Sequence, residues 1–262
     1  MSQKPDPHIS AEVKINLTIL VLGAMVMILN ETALSVALPT IMADFGIPAT
    51  SAQWLLTGFL LTMGVVIPTT GFLMDKFTTR QIFLASSGVF LAGTVLAALA
   101  PAFGVLLVGR VFQATGTALM IPTLMTVAMT LVPPQRRGSV MGIISVVISV
   151  APALGPTVGG FVLSMSSWHV IFWTMAPLLG LICAAGYFRL VNVGDKRDTP
   201  LDFPSVVLSV IAFGGLVYAV SSLENMLEGD GLVDIVVLIV GLVALALFTR
   251  RQLRLAKDNR AL

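Results

Sequence analysis

The sequence predicts an all-α polytopic membrane protein with eight spans. Three observations carry this. Hydrophobic residues make up 56% of the chain, charged residues only 11%, and the mean hydropathy is +0.98; a soluble domain carries about 25% charged residues. Eight apolar stretches approach or exceed the roughly 20 residues that cross a bilayer core as helix. Fourteen of the fifteen lysines and arginines fall on one side of the resulting topology.

The polar stretch 1–16, with Lys4 and Lys14, reads as a cytoplasmic N-terminal tail. The first apolar run, Leu17–Leu38, is too long for a signal-peptide core and lacks a cleavage pattern in a suitable context, so it reads as a retained helix. The others follow at Gln53–Met74, Gln81–Ala100, Phe103–Thr130, Val140–Met165, Val170–Leu190, Phe203–Ser222 and Leu232–Phe248. Strands of a barrel alternate in polarity and run only about 10 residues, which excludes that architecture. The expected organisation is a six-helix unit over 17–190, a cytoplasmic linker over 191–202, a helix pair over 203–249 and a basic cytoplasmic tail over 250–262.

Lysine and arginine alternate between the loops. The basic side collects Lys4, Lys14, Lys76, Arg80, Arg136, Arg137, Arg189, Lys196, Arg197 and the five basic residues from Arg250 to Arg260. The other four loops carry Asp44, Glu224, Glu228 and Asp230 instead. The positive-inside rule then puts both termini in the cytoplasm of a cell (inner or plasma) membrane protein. Scattered basic residues offer no nucleic-acid face. The one cysteine, Cys183, excludes an internal disulfide and reads as packing. No metal or cofactor site is expected, and no H-E-x-x-H pair or Ser/His constellation suggests an enzyme.

Two ionisable residues lie inside spans. Arg110 is seven residues, ~10 Å, from the outer start of the fourth helix. Glu31 is seven residues from the outer end of the first. A charge at this depth costs ~2.5–3.5 kcal/mol or more and marks a function by default. The two are expected to pair at matching depth, either as a static ion pair or as a carboxylate whose protonation a nearby cation sets. Arg110, Gln113 and Thr117 share one face at i, i+3, i+7, turned to the bundle interior or an aqueous cavity.

On the fifth helix Gly142, Ser145, Ser149, Pro152, Pro156 and Gly159 recur at three and four residues, a smooth face with two freed carbonyls. It reads either as small-residue packing or as a sliding surface. Trp54, Trp168 and Trp173 lie near predicted outer ends, as an aromatic belt would, with substrate contact the second reading. No partner is readable for His8 or His169.

These runs together resemble the major facilitator superfamily, in particular its fourteen-helix drug:proton antiporters. Gly71-Phe-Leu-Met-Asp75-Lys76-Phe-Thr78-Thr-Arg80 resembles the loop signature G-x-L-x-D-R-x-G-R, with Lys76 for Arg and Thr78 for the second Gly. Arg110-Val-Phe-Gln113-Ala-Thr-Gly116 is similar to the fourth-helix motif. Gly155-Pro156-Thr-Val-Gly159-Gly160 is similar to the antiporter motif, with Ala151 where a Gly is expected. Leu29-Asn30-Glu31-Thr32 resembles L-D-x-T with the acid moved one place, and Ser167-Trp168-His169 resembles S-W-R.

The resemblance implies a six-helix N-terminal domain plus two further helices, the first portion of a longer transporter. It implies proton-coupled efflux of hydrophobic, cationic compounds by alternating access. Glu31 would be the protonation site and Arg110 its modulator. Gly71, Asp75, Lys76 and Arg80 would form a cytoplasmic gate, and Pro152 with Gly155–Gly160 the moving face. Lipid, a small substrate, protons and a second half or second copy are the implied partners. No G-x-x-x-x-G-K-[ST] run is present, so an ion gradient is the implied drive. The alternative is a truncated, non-transporting membrane protein or a half that needs a partner chain.

Overall fold

The computed structural model describes residues 9–192, 203–222 and 232–257. Lys4, His8, Lys196, Arg197, Glu224, Glu228, Asp230 and Arg260 lie outside the described residues, as does most of the expected linker. The described residues form eight long helices: α1 Ala11–Phe45, α2 Trp54–Lys76, α3 Thr79–Ala98, α4 Phe103–Leu131, α5 Pro134–Met165, α6 His169–Arg189, α7 Phe203–Ser221 and α8 Leu232–Lys257. A single turn, Ala49–Ala52, leads into α2. The protein is an all-α polytopic membrane protein: seven helices are long and apolar enough to cross a bilayer, and α7 adds a shorter apolar run, Pro204–Val220.

Local chemistry sets the helix ends. The Ser10 hydroxyl accepts from Val13 N at 3.3 Å and starts α1. Gly46, at φ 60°, stops it in the left-handed region that glycine tolerates. Thr78 and Gln81 form a reciprocal capping box that opens α3 directly after α2. Pro134 opens α5 where its missing N–H costs nothing.

Four strong helix pairings build the bundle: α3 with α4, α1 with α5, α2 with α4, and α3 with α6, with α1 also against α4 and α6. Exchanging the first three helices with the second three turns α1·α5 into α4·α2 and α3·α4 into α6·α1. The packing thus has the symmetry of an internal repeat. α7 lies on α2, where Gly64 sits under Val217, and α8 packs mainly on α7, where a Cβ on Gly215 would lie 3.1 Å from Gly241 Cα.

Two apolar clusters fill the bundle. One joins Leu20, Met27, Phe83, Phe90, Met120, Leu124 and Leu179. The other joins Leu34, Ile41, Leu55, Ala97, Leu106 and Phe172. On three helices the switch between clusters falls at a buried polar residue: Asn30 on α1, Thr94 on α3, and Arg110 with Gln113 on α4. Large apolar side chains such as Ile143, Phe161, Leu181 and Phe188 stand exposed on the outside of the bundle.

The basic segments share one end of the bundle. Asn16 at the start of α1 exchanges hydrogen bonds with Val191 beyond α6, at 3.3 and 3.2 Å. The Arg80 backbone N–H donates to Asn192 Oδ1 at 3.3 Å. At the other end the Trp168 indole N–H donates to Asp44 Oδ2 at 2.9 Å. Trp168 is therefore no lipid-facing belt residue: it is 1% exposed, wedged against Phe45, Phe172 and His169. Trp54 and Trp173 stay exposed.

Candidate functional site

The polar layer between the clusters is one connected network. The Arg110 guanidinium donates from Nη1 to Gln113 Oε1 at 3.0 Å and from Nε to the Leu55 carbonyl at 3.2 Å. Its Cζ lies over the Phe59 ring, 4.2 Å from the centroid. The Gln113 amide then donates to Asn30 Oδ1 at 3.0 Å and Thr94 Oγ1 at 2.9 Å. Four helices, α1 to α4, are tied at one level. Arg110, Gln113 and Asn30 are all 0% exposed.

The expected Glu31–Arg110 ion pair is absent: among the described residues no carboxylate lies within ion-pair distance of Arg110. Consecutive residues on a helix point about 100° apart, and Asn30 takes the inward direction. Glu31 sits beside the network, partly buried and out of contact with Arg110. Two donors in the layer, Asn30 Nδ2 and Arg110 Nη2, have no partner among the described residues.

The α4 stripe separates into two roles. Gln113 is the hub, whereas Thr117 is buried with its hydroxyl donating to the Gln113 carbonyl of its own helix. Gly116 belongs to the seam with α3: a Cβ there would lie 2.6 Å from the Ser86 carbonyl, and the Ser86 hydroxyl donates to Gly116 O at 2.7 Å. The stripe faces protein, with no aqueous exposure at Arg110, Gln113 or Thr117.

The expected single face of α5 also divides. At about 100° per residue, seventeen residues carry Gly159 roughly 100° away from Gly142. Gly155 and Gly159 are buried against α1, where a Cβ on Gly159 would lie 2.6 Å from the Ala33 carbonyl and one on Gly155 would overlap Thr32. Gly142, Ser145, Ser149, Pro152 and Pro156 lie open, and Gly160 has nothing within 4 Å of where a Cβ would stand. Both prolines are accommodated inside a continuous helix.

At the basic end, Arg80 stacks on Tyr187 of α6 at 4.8 Å instead of bonding Asp75. Lys76 lies 5.9 Å from the Phe72 ring centroid. Gly71 is partly buried near the end of α2. Asp75 is partly buried and has no hydrogen-bond or ion-pair partner among the described residues. A bare carboxylate at a helix C-terminus is disfavoured by the dipole. Sequence reasoning missed Asn30, Thr94, Phe59 and the Leu55 carbonyl as network members. Only the polar identities of Asn30 and Thr94 inside apolar runs signalled them.

A membrane-spanning bundle with internal-repeat packing and a buried cation in its interior defines a class of polytopic integral membrane protein. The family model described as Major Facilitator Superfamily matches residues 20–250. The chain belongs to that superfamily. It is 44% identical to the MFS-type transporter YcnB of Bacillus subtilis, covering 91% of this chain and 50% of the relative. It is 42% identical to the lincomycin resistance protein LmrB of the same organism, covering 89% and 49%. Among solved structures, the human organic anion transporter MFSD10 superposes with a TM-score of 0.63 at 17% identity, over 81% of this chain and 56% of that one. The chain thus spans about half the length of the curated relatives it matches.

Proposed function

We propose that this chain is the proton-coupling half of an efflux transporter for hydrophobic, cationic drugs or toxic compounds. It sits in the cell membrane with both termini cytoplasmic and works by alternating access together with a second six-helix half. The observation that carries the reading is the buried Arg110–Gln113–Asn30 network with Glu31 at its flank. A guanidinium with no carboxylate in contact makes the charge state of the nearest acid matter. The names of relatives such as the lincomycin resistance protein support the substrate class.

In this mechanism Glu31 exchanges the proton and Arg110 senses its charge. Asn30 and Gln113 hold Arg110 in place. The open face of α5 around Pro152 and Pro156, together with Gly160, is the surface that slides on the second half. Gly155 and Gly159 keep α5 seated on α1 as it does so. Asp75, the unpartnered acid of the Gly71–Arg80 loop, braces the second half when the basic side is closed. The division into a six-helix unit, 17–190, and an added helix pair, 203–249, belongs to the same proposal.

A second reading is a half that does not transport by itself, favoured by the same open α5 face and unpartnered Asp75. The test is dye efflux from energised cells lacking their own pumps and expressing the tagged chain, with Glu31→Gln beside it and a protonophore added. Efflux lost with both the mutation and the protonophore is expected of the first reading, with a second copy of the chain supplying the other half. Full insertion with no efflux selects the second, and efflux untouched by Glu31→Gln overturns the role of Glu31.

A further inference from the structure

The basic end of α8 carries a feature that transport does not use. α8 turns Asp234, Gly241 and Ala244, all buried, toward the bundle, with Gly241 against Gly215 of α7. On an adjoining face runs an open groove of about 560 Å³, floored by Leu242, Leu245, Ala246 and Leu253 and ending at Arg250 and Arg254. The twelve steps from Leu242 to Arg254 rise ~18 Å. One leaflet contributes ~15 Å of hydrocarbon, half of the ~30 Å core. The apolar floor therefore matches one leaflet in length, and both guanidinium groups emerge at its surface.

Arg250 and Arg254 are four residues apart, so their side chains stand over neighbouring turns about 6 Å apart at Cβ. Both are exposed, and among the described residues neither has a carboxylate partner. Two planar guanidinium groups at that spacing suit a phosphate diester, which each can bind through two parallel hydrogen bonds. A lipid whose headgroup adds no cation of its own leaves that attraction uncancelled, and basic pockets at the membrane surface select such lipids.

We infer that this groove binds one anionic phospholipid, with an acyl chain along Leu242–Leu253 and its phosphate held between Arg250 and Arg254. The site pins the α7–α8 pair to the membrane surface. It depends neither on the transport reading nor on which leaflet the basic end occupies.

The test is native mass spectrometry of the whole chain released from detergent with phosphatidylglycerol or phosphatidylethanolamine added. One retained phosphatidylglycerol per chain is expected, at a collision energy that strips phosphatidylethanolamine. Arg250→Gln with Arg254→Gln should lower its retention at least tenfold, while Arg136→Gln with Arg137→Gln, the arginine pair at the start of α5, should leave it unchanged. Leu245→Trp fills the groove without altering charge and should lower retention as well, so either variant decides the matter if the other fails to fold. Equal retention of the two lipids overturns the proposal. So does an equal loss in the Arg136/Arg137 variant, which would mean diffuse surface charge, or full retention in Leu245→Trp.

Discussion

Replacing Gln113 by Leu removes the hub of the polar layer while keeping nearly the same volume. Three contacts go at once: the bond from Arg110 at 3.0 Å and those to Asn30 and Thr94 at 3.0 and 2.9 Å. Thr94 keeps its bond to the Phe90 carbonyl at 2.9 Å and counts least. Arg110 Nη1 and Asn30 Oδ1 are left bare in a site with no exposure. Interhelical hydrogen bonds in membranes average ~0.6 kcal/mol with a maximum of ~1.7, and each buried group left unsatisfied costs ~1–3 kcal/mol. The expected loss is ~2–5 kcal/mol. At ~3 °C per kcal/mol for a chain of this size, melting should fall by ~6–15 °C. Thr115→Val is the control, because that exposed hydroxyl bonds only the Val111 carbonyl of its own helix, and it should stay within ~0.5 kcal/mol. The assay is unfolding of both variants in one detergent, followed by tryptophan fluorescence. If Gln113→Leu melts with Thr115→Val, the network does not hold the four helices and the reasoning fails.

Gly159→Ala should cost ~1–3 kcal/mol, because its Cβ meets the Ala33 backbone carbonyl and not a side chain that can move. Gly142→Ala, with nothing within 4 Å, should be neutral or stabilising by up to ~1 kcal/mol in the same melt. Trp168→Phe keeps an aromatic ring but loses the bond to Asp44 and leaves a void, for ~2 kcal/mol, whereas Asp44→Asn retains an acceptor and should cost less than half of that by the same measurement. Thr78→Ala removes the reciprocal cap of α3 and should cost ~1 kcal/mol, read as faster amide exchange at Arg80 and Gln81.

The number and order of the helices were legible because lipid demands apolar length, and length is written directly in composition. Their ends were less so. α1 continues past Leu38 through Pro39 to Phe45, α5 starts at Pro134 instead of Val140, and α8 runs on to Lys257. A helix does not stop where the hydrocarbon stops; caps and left-handed glycines end it. Rotation about the axis was the harder quantity. In water, polarity marks the outward face of a helix. In a bilayer the lipid face and the packed face are both apolar, so α1 gives no pattern telling that Asn30 points inward and Glu31 beside it. The split of the α5 stripe has the same origin: small residues mark both its seam with α1 and its open side. Arg110 and Gln113 were readable by polarity alone, but their partners come from three other helices, and no spacing rule connects residue 113 to residues 30, 94 and 55.

Placing the acid outside the network has a mechanical consequence. Asn30 has one charge state, so its contact with Gln113 joins α1 to α4 whether or not a proton is bound nearby. Were a carboxylate the member of that chain of bonds, each protonation would alter an acceptor in the seam itself, and the helix pairing would carry the cost of every cycle. With Glu31 about 100° round the helix, the proposed change of charge would reach Arg110 through space, leaving in place the bonds that orient Arg110, to Leu55 and Gln113. In the mechanism proposed above, the network would then serve as a fixed mount, with Glu31 answering to whatever fills the space on its own side of α1.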